Sequence, residues 1–549
     1  MTSAEGRPLE ARADGRRAIT PLRCAVRLQP PHPAVPRNRA RARCRATLLL
    51  TPVLLLSGCA VGPRFARPHP PAAAVYLQPR PQALAPGHGE PSQRLVPAES
   101  VPAQWWQLFH DAALDGVLRQ ALAANPTLAA ARARLAQAEQ LVQAARGAYA
   151  PQLDFAASAA RQKGPAFALG LLSRLPGKGT LPTFDLYSLG PTVSYAPDVF
   201  GLTRRRVEAS RAAAALQRDE LAAANLAITG NVVETALTLA SLHRQIQAVG
   251  RIIADDAHNL ALVRRAYQVG RAPRTDVLSA QTRLALDRAL LPPLRQRQAL
   301  AEDALTVLVG RVPGQWTPPP FRLADFQLPR RLPLTLPSAL ARQRPDILAA
   351  EQQVHVRSAE VGVATARLYP NIVLSASIAT AALRPDALFG ASSGMWALLG
   401  ELTAPVFHGG TLRAERRASL DALQASLALY RQTVLAAFGQ VTDTLRALGN
   451  DAQLAAEEHQ ALTLARTSLA LQRVSYQAGR SNVLELLAAE RRYEQARLGD
   501  ARAGAQRYAD SAQLLVALGG GWWAPAGGCT GPCTARATHP AQPRGARTE

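Results

Sequence analysis

The chain has 549 residues, a formal net charge of +24 and only 5% aromatic residues. It is too long for one small globule, and Ala, Leu, Arg and Gln dominate, which is the composition of long helices packed closely. A basic balance suggests nucleic acid, but there is no basic stripe with interleaved aromatics, no zinc-ligand spacing and no recognition-helix motif, so nucleic-acid binding is set aside.

Arg37, Arg39, Arg41, Arg43 and Arg45 precede an apolar run from Thr47 to Leu56. The run is too short to span a bilayer and ends in small residues, as export signals do. Leu56-Ser57-Gly58-Cys59 resembles the lipobox of a bacterial lipoprotein, which predicts Cys59 as the acylated N-terminus of the mature chain. The competing reading is a buried strand ending in Ser-Gly-Cys, for which the chain offers no pairing partner. The signal region is 1–58, and its Arg- and Pro-rich start is longer than a normal n-region, as an early-assigned start codon would make it. It carries eleven Arg and three acids, so removing its +8 from +24 leaves a mature chain of +16.

Residues 59–104 read as a lipidated N-terminal linker, and Trp105-Trp106, beside the first helix, as packing residues. No segment after Cys59 reads as a transmembrane helix, so a membrane span would have to be a β-barrel.

An internal duplication organises the rest. Asn125-Pro126-Thr127-Leu128 with Tyr149-Ala150-Pro151 recurs as Arg344-Pro345-Asp346-Ile347 with Leu368-Tyr369-Pro370, at an offset of 219. Tyr195-Ala196-Pro197 leading to Phe200-Gly201 recurs as Thr403-Ala404-Pro405 leading to Phe407 and Gly409, at 208, and Tyr267-Gln268-Val269-Gly270-Arg271 as Tyr476-Gln477-Ala478-Gly479-Arg480, at 209. The fall in offset places a longer hairpin loop, Gly164 to Pro182, in the first copy. The two repeats span 105–310 and 338–521, joined by a linker at 311–337, with a disordered tail at 522–549. Cys529 and Cys533 lie in that tail, either as a disulfide or as incidental thiols.

Each copy reads helix, two strands, long helix, turn, helix. Pro126 and Pro345 suit a first helical turn. Leu153, Phe155 and Ala157, then Ile372, Leu374, Ala376 and Ile378, alternate at strand period. The return strands are Leu186 to Ala196 and Met395 to Pro405, long enough to cross a bilayer at barrel tilt. Ile228, Val232, Leu239, Leu242, Ile246, Val249, Ile253, Leu260, Val263 and Tyr267 form a coiled-coil seam with lapses at Thr235 and Asp256, and Leu420, Leu423, Leu427, Tyr430, Val434 and Val441 repeat it. A helix from Gly201 to Tyr267 would be roughly 100 Å long. Two hairpins give four strands per chain, too few to close a barrel, and a conduit needs more than a dimer's eight. Three chains give twelve. The fold class is therefore α+β, mainly α: an internally duplicated chain whose trimer closes a 12-stranded β-barrel, with the long helices forming an α-helical tube beneath it.

Cys59-Ala60-Val61-Gly62-Pro63 with Arg67-Pro68, Trp105-Trp106 with Phe109, Leu114-Asp115, Arg344-Pro345-Asp346-Ile347, Ala404-Pro405-Val406-Phe407 with Gly409-Gly410, and Tyr476-x-x-Gly479 stand in a specific order from Cys59 to Leu518. Together they resemble outer-membrane efflux proteins of the TolC type, in the lipoprotein subgroup of tripartite pumps. The resemblance implies a homotrimer in outer-membrane lipid with a periplasmic helical barrel. It also implies docking to a periplasmic adaptor and an inner-membrane pump, with no cofactor and no catalysis.

The turns Tyr267 to Gly270 and Tyr476 to Gly479 place a glycine where a long helix reverses. By resemblance the constriction falls on the helix starting near Ser481, with Leu484 as an apolar ring and a second ring one turn on. The family often has an acid there. Here it is Ala488, so Glu485 or Asp276 would supply the charge, unless both acids simply cap helix N-termini. No Gly-x-Ser-x-Gly, phosphate loop or His-Glu-x-x-His supports an enzyme, and His408 reads as a turn residue. The alternative function is a coiled-coil structural or adhesin-like lipoprotein without a channel.

Overall fold

Asn125, within the first repeat, accepts the backbone N–H groups of Thr127 and Leu128 on its side chain, at 2.8 and 3.3 Å. That caps helix α2 (Pro126–Gly147), while α1 (Ala112–Ala124) ends against it. A computed structural model describes residues 60–71, 75–77, 92–163 and 183–522, all within the unit Gly58–Glu549. The signal region 1–58, the acceptor Cys59, the loop 164–182, the Cys529 and Cys533 pair and the tail beyond 522 lie outside the described residues.

The duplication appears as matched elements. Helix α3 (Leu202–Gln268) and its counterpart α8 (Thr411–Gln477) have 67 residues each, and α2 and α7 (Pro345–Ala366) have 22 each. In the first copy α4 (Arg274–Ala289) and α5 (Leu291–Leu308) follow α3; in the second a single α9 (Val483–Ala517) follows α8. The expected single return helix is thus broken in the first copy at Leu290. Pro292 and Pro293 explain the break, since proline lacks the N–H and clashes with the preceding turn. α6 (Pro337–Gln343) opens the second copy.

Equivalent residues fasten each copy to its own last helix. The Asn125 amide donates to the Leu308 carbonyl at 2.8 Å, closing the end of α5. Arg344, its counterpart, donates to the Ala517 carbonyl at the end of α9, also at 2.8 Å. Both satisfy carbonyls that a helix C-terminus leaves free, and the arginine adds favourable charge there.

Strands β2 (Gln152–Gln162), β3 (Phe184–Tyr195), β5 (Asn371–Ala382) and β6 (Gly394–Thr403) form one antiparallel sheet in the order β2-β3-β5-β6, so the two hairpins join through β3 and β5. Leu153, Phe155, Ile378, Trp396 and Leu398 are exposed on it, an apolar display that soluble sheets avoid. A smaller parallel pair, unanticipated from sequence, joins β1 (Arg94–Pro97) to β4 (Arg331–Leu334). No helix among the described residues is long and apolar enough to cross a membrane.

The main core lies midway along the rods. Trp105, Phe109, Leu114, Leu118, Val232, Leu239, Leu332, Val441 and Leu514 are buried there, each apolar side chain contributing roughly 1.5–3 kcal/mol by leaving water. Trp105 is a packing residue, 1% exposed and edge-on to Trp106.

Candidate functional site

The reversing ends of the helical hairpins carry the predicted turn residues in matching geometry. At the first, Gly270 adopts φ 75°, its N–H donating to the Tyr267 carbonyl at 3.0 Å and the Arg271 N–H to Ala266 at 2.8 Å. At the second, Gly479 adopts φ 69°, with Gly479 donating to Tyr476 at 3.0 Å and Arg480 to Ser475 at 2.9 Å. This is a Schellman-type end that requires a left-handed residue, which glycine supplies without strain. Tyr267 is exposed, whereas Tyr476 packs against Leu469, Leu486 and Ala489.

Leu484 sits in the first turn of α9, and Ala488, one turn on, is exposed. Glu485 is exposed in the same first turn. Asn482 caps the helix by accepting the Glu485 N–H at 2.9 Å, and the Glu485 carboxylate accepts from the Asn482 and Gln472 amides at 3.1 and 3.2 Å. Asp276 stands in the first turn of α4, its N–H donating to Pro273 at 3.2 Å. No hydrogen bond or ion pair between described residues links Asp276 to Glu485. His408 is exposed between β6 and α8, its carbonyl accepting the Thr411 N–H.

Slightly further along the rods lies a buried charge cluster that was only half visible in the sequence. Arg283, on α4, donates Nε to the Asp256 carboxylate on α3 at 3.0 Å and Nη1 to the Leu487 carbonyl on α9 at 3.2 Å. Its Nη2 pairs with Glu494 on α9, and Asp287 lies 3.7 Å from Nε. One turn away Glu490 accepts from Asn259 and pairs with Arg473 at 3.3 Å. Asp256, Glu490 and Glu494 are 2%, 2% and 5% exposed. Burial pushes Glu494 up to about 8 against the pull of Arg283, and it raises Glu490 as well. Asp256 interrupts the apolar seam in the sequence, whereas its partners lie on two other helices and interrupt no pattern.

The paired long hairpins, the four-stranded sheet with exposed apolar residues, and the reversing tips are the parts of an outer-membrane channel subunit. A sequence profile described as "Outer membrane efflux protein" matches residues 117–311 and 336–520. The chain is 32% identical over 426 residues to the pyoverdine export outer membrane protein OpmQ of Pseudomonas aeruginosa, covering 76% of this chain and 87% of that one. It is 25% identical over 478 residues to the probable outer membrane lipoprotein SilC of Salmonella typhimurium, covering 86% and 98%. The solved outer-membrane channel OprN matches with a TM-score of 0.75 at 26% identity, covering 84% of this chain and all of that one.

The chain belongs to the outer membrane efflux protein family. It is an outer-membrane component of efflux machinery that extends into the periplasm, and the kinship decides against a coiled-coil adhesin or structural lipoprotein.

Proposed function

We propose that three copies form a passive conduit that carries small molecules from a periplasmic adaptor and an inner-membrane pump to the exterior. The observation that carries this reading is the four-stranded sheet in the order β2-β3-β5-β6, whose outer strands β2 and β6 lack partners among the described residues. Unpaired backbone edges are not tolerated in lipid. Four strands cannot close on themselves, whereas three copies joined edge to edge give twelve and a bore. Residues 105–310 and 338–521 then act as the two repeats of each subunit, with 311–337 as the equatorial linker. OpmQ is a pyoverdine export protein by name, and we extend only its chemical class, a small exported solute, to this chain.

Acylation of Cys59 anchors each subunit in outer-membrane lipid, in keeping with the likeness to a lipoprotein relative. The periplasmic mouth narrows where three copies of each turn meet: Leu484 forms an apolar ring, and Glu485 or Asp276 supplies charge that Ala488 does not. Transport needs no cofactor and no catalytic residue, because the pump supplies the work. Analytical ultracentrifugation in mild detergent tests the assembly. The expected particle has the mass of three chains, and a monomer or dimer would contradict the reading.

A further inference from the structure

Asp256 and Asp287 face each other across the α3–α4 contact beside Arg283 Nε, which donates to Asp256 Oδ1 at 3.0 Å and stops 3.7 Å from Asp287 Oδ2. Asp256 is 2% exposed, and its Oδ2 and the Asp287 Oδ2 are both buried without a hydrogen-bond partner. Oxygens of Asp256, Asp287 and Glu494 all lie within 4.8 Å of one another. The groups facing this point are Asp255, Asp256 and Asn259 on α3, Arg283 and Asp287 on α4, Arg473 on α8, and Glu490 and Glu494 on α9. Even without Asp255, two arginines meet four carboxyls. Fully ionised, that set would hold two uncompensated negative charges away from water, an arrangement that proteins relieve by protonation.

We propose that Asp256 and Asp287 share one proton, and that this proton is a latch holding α4 against α3 and α9 at the periplasmic end of the channel. The latch rests on the conduit reading above. With the proton in place, the facing carboxyls hydrogen-bond instead of repelling, and Arg283 keeps its Nη2 on Glu494 and its Nη1 on the Leu487 carbonyl. Leu487 lies within one turn of Leu484 and Ala488, so the latch fixes the start of the helix that carries the proposed constriction. The lever it holds is short. α4 ends at Ala289, cut from α5 by the proline break, and among its residues only Ala280 and Leu284 are buried. Polar contacts therefore carry much of its attachment, and the unbroken α9 has no equivalent break.

The direction of the pH response follows from the burial of the pair. Burial and the facing Asp287 carboxyl hold Asp256 well above the usual carboxylate range, against the pull of Arg283. Such groups bind protons on latching and release them on separation. The latch is therefore complete below the ordinary carboxylate value of about 4 and weakens as pH rises through the raised one. The ratio of latched to unlatched channels changes by up to about tenfold per pH unit across that window.

The full-length protein in planar bilayers, recorded from about pH 5 to about pH 8, tests this. The parent's open probability rises with pH. Asp256→Asn, which keeps the shape and donates permanently, stays mostly closed and responds to pH much less than the parent, the remaining response being that of Glu494, and Asp287→Asn behaves alike. A flat parent, or Asn variants that titrate as the parent does, overturns the latch. A pH response abolished by chelator makes the occupant a divalent cation and also overturns it. Infrared difference spectra of the detergent-solubilised protein provide a second readout: the protonated-carboxyl absorption that titrates near neutrality, to which Glu494 and Asp510 also contribute, loses one component in Asp256→Asn relative to the parent. If no variant conducts at any pH, the conduit reading fails while the infrared band still decides the shared proton.

Discussion

Arg205 donates its Nη2 to the carbonyl oxygen of Gly62 across 3.1 Å, and its Nε to that of Val61 at the same distance. A side chain in the first turn of α3, 4% exposed and paired with Glu208 at 2.7 Å, thus holds the segment that follows Cys59. The segment lies close because Gly62 and Gly362 meet backbone to backbone: a Cβ on Gly62 would come within 2.6 Å of the Gly362 Cα. Phe65 stacks on His355 at 4.0 Å and Arg67 pairs with Glu351 at 2.6 Å, continuing the clasp along α7. Arg205→Ala leaves two carbonyls and Glu208 without their buried donor. It is expected to cost about 1–3 kcal/mol, seen as a lower midpoint in thermal unfolding and faster proteolysis near Val61. An unchanged midpoint and cleavage rate would show that the segment is held by other contacts.

The clasp bears on the anchor. Stable attachment by acyl chains takes more than one chain, so the modified Cys59 should carry several. Cys59→Ala is expected to abolish labelling by a fatty-acid probe, and labelling that persists would refute the assignment. Residual membrane association would not, because the proposed barrel would insert without the acyl chains.

A second buried acid gives a stability prediction. Asp510 on α9 is 1% exposed, accepts from Gln506 at 2.8 Å and faces Asp451 on α8. Burial raises it to about 7, with Asp451 adding to the rise and the Gln506 bond opposing it. The stability this group contributes is present below about 4 and is lost as pH rises through the raised value. Asp510→Asn should therefore melt like the parent in acid and gain on it with rising pH, levelling off above neutrality at on the order of 1–3 kcal/mol. A pH-independent difference would show that Asp510 does not titrate in that range.

Leu484→Ala is expected to widen the closed mouth, raising single-channel conductance and the vancomycin sensitivity of cells that carry it. If both match the parent, the constriction lies elsewhere on the turn.

Much of the architecture was legible because it depends on local chemistry. Gly270 and Gly479 mark reversals that need a left-handed residue, Pro126 and Pro345 mark helix starts, and the three-four spacing from Ile228 to Tyr267 describes a seam that the structure buries as far as Val263, Tyr267 at the turn being exposed. The break at Leu290 carries a local signal as well, Pro292-Pro293, which a reading of the two copies as equal repeats passes over. The β1–β4 pair was invisible, since strands of four residues carry no usable period. The charge cluster was legible only as Asp256 interrupting the seam. Its meaning depends on Glu494, 211 residues from Arg283, and no spacing rule connects residues that meet only when the two copies pack.

Single-channel recording of the purified protein in planar bilayers tests the account most directly, because only the conduit reading requires a continuous aqueous path through the outer-membrane barrel and the helical barrel. Discrete conductance steps from a species with the mass of three chains are the predicted result. Inserted trimers that pass no current, in the parent and in Leu484→Ala alike, would contradict it.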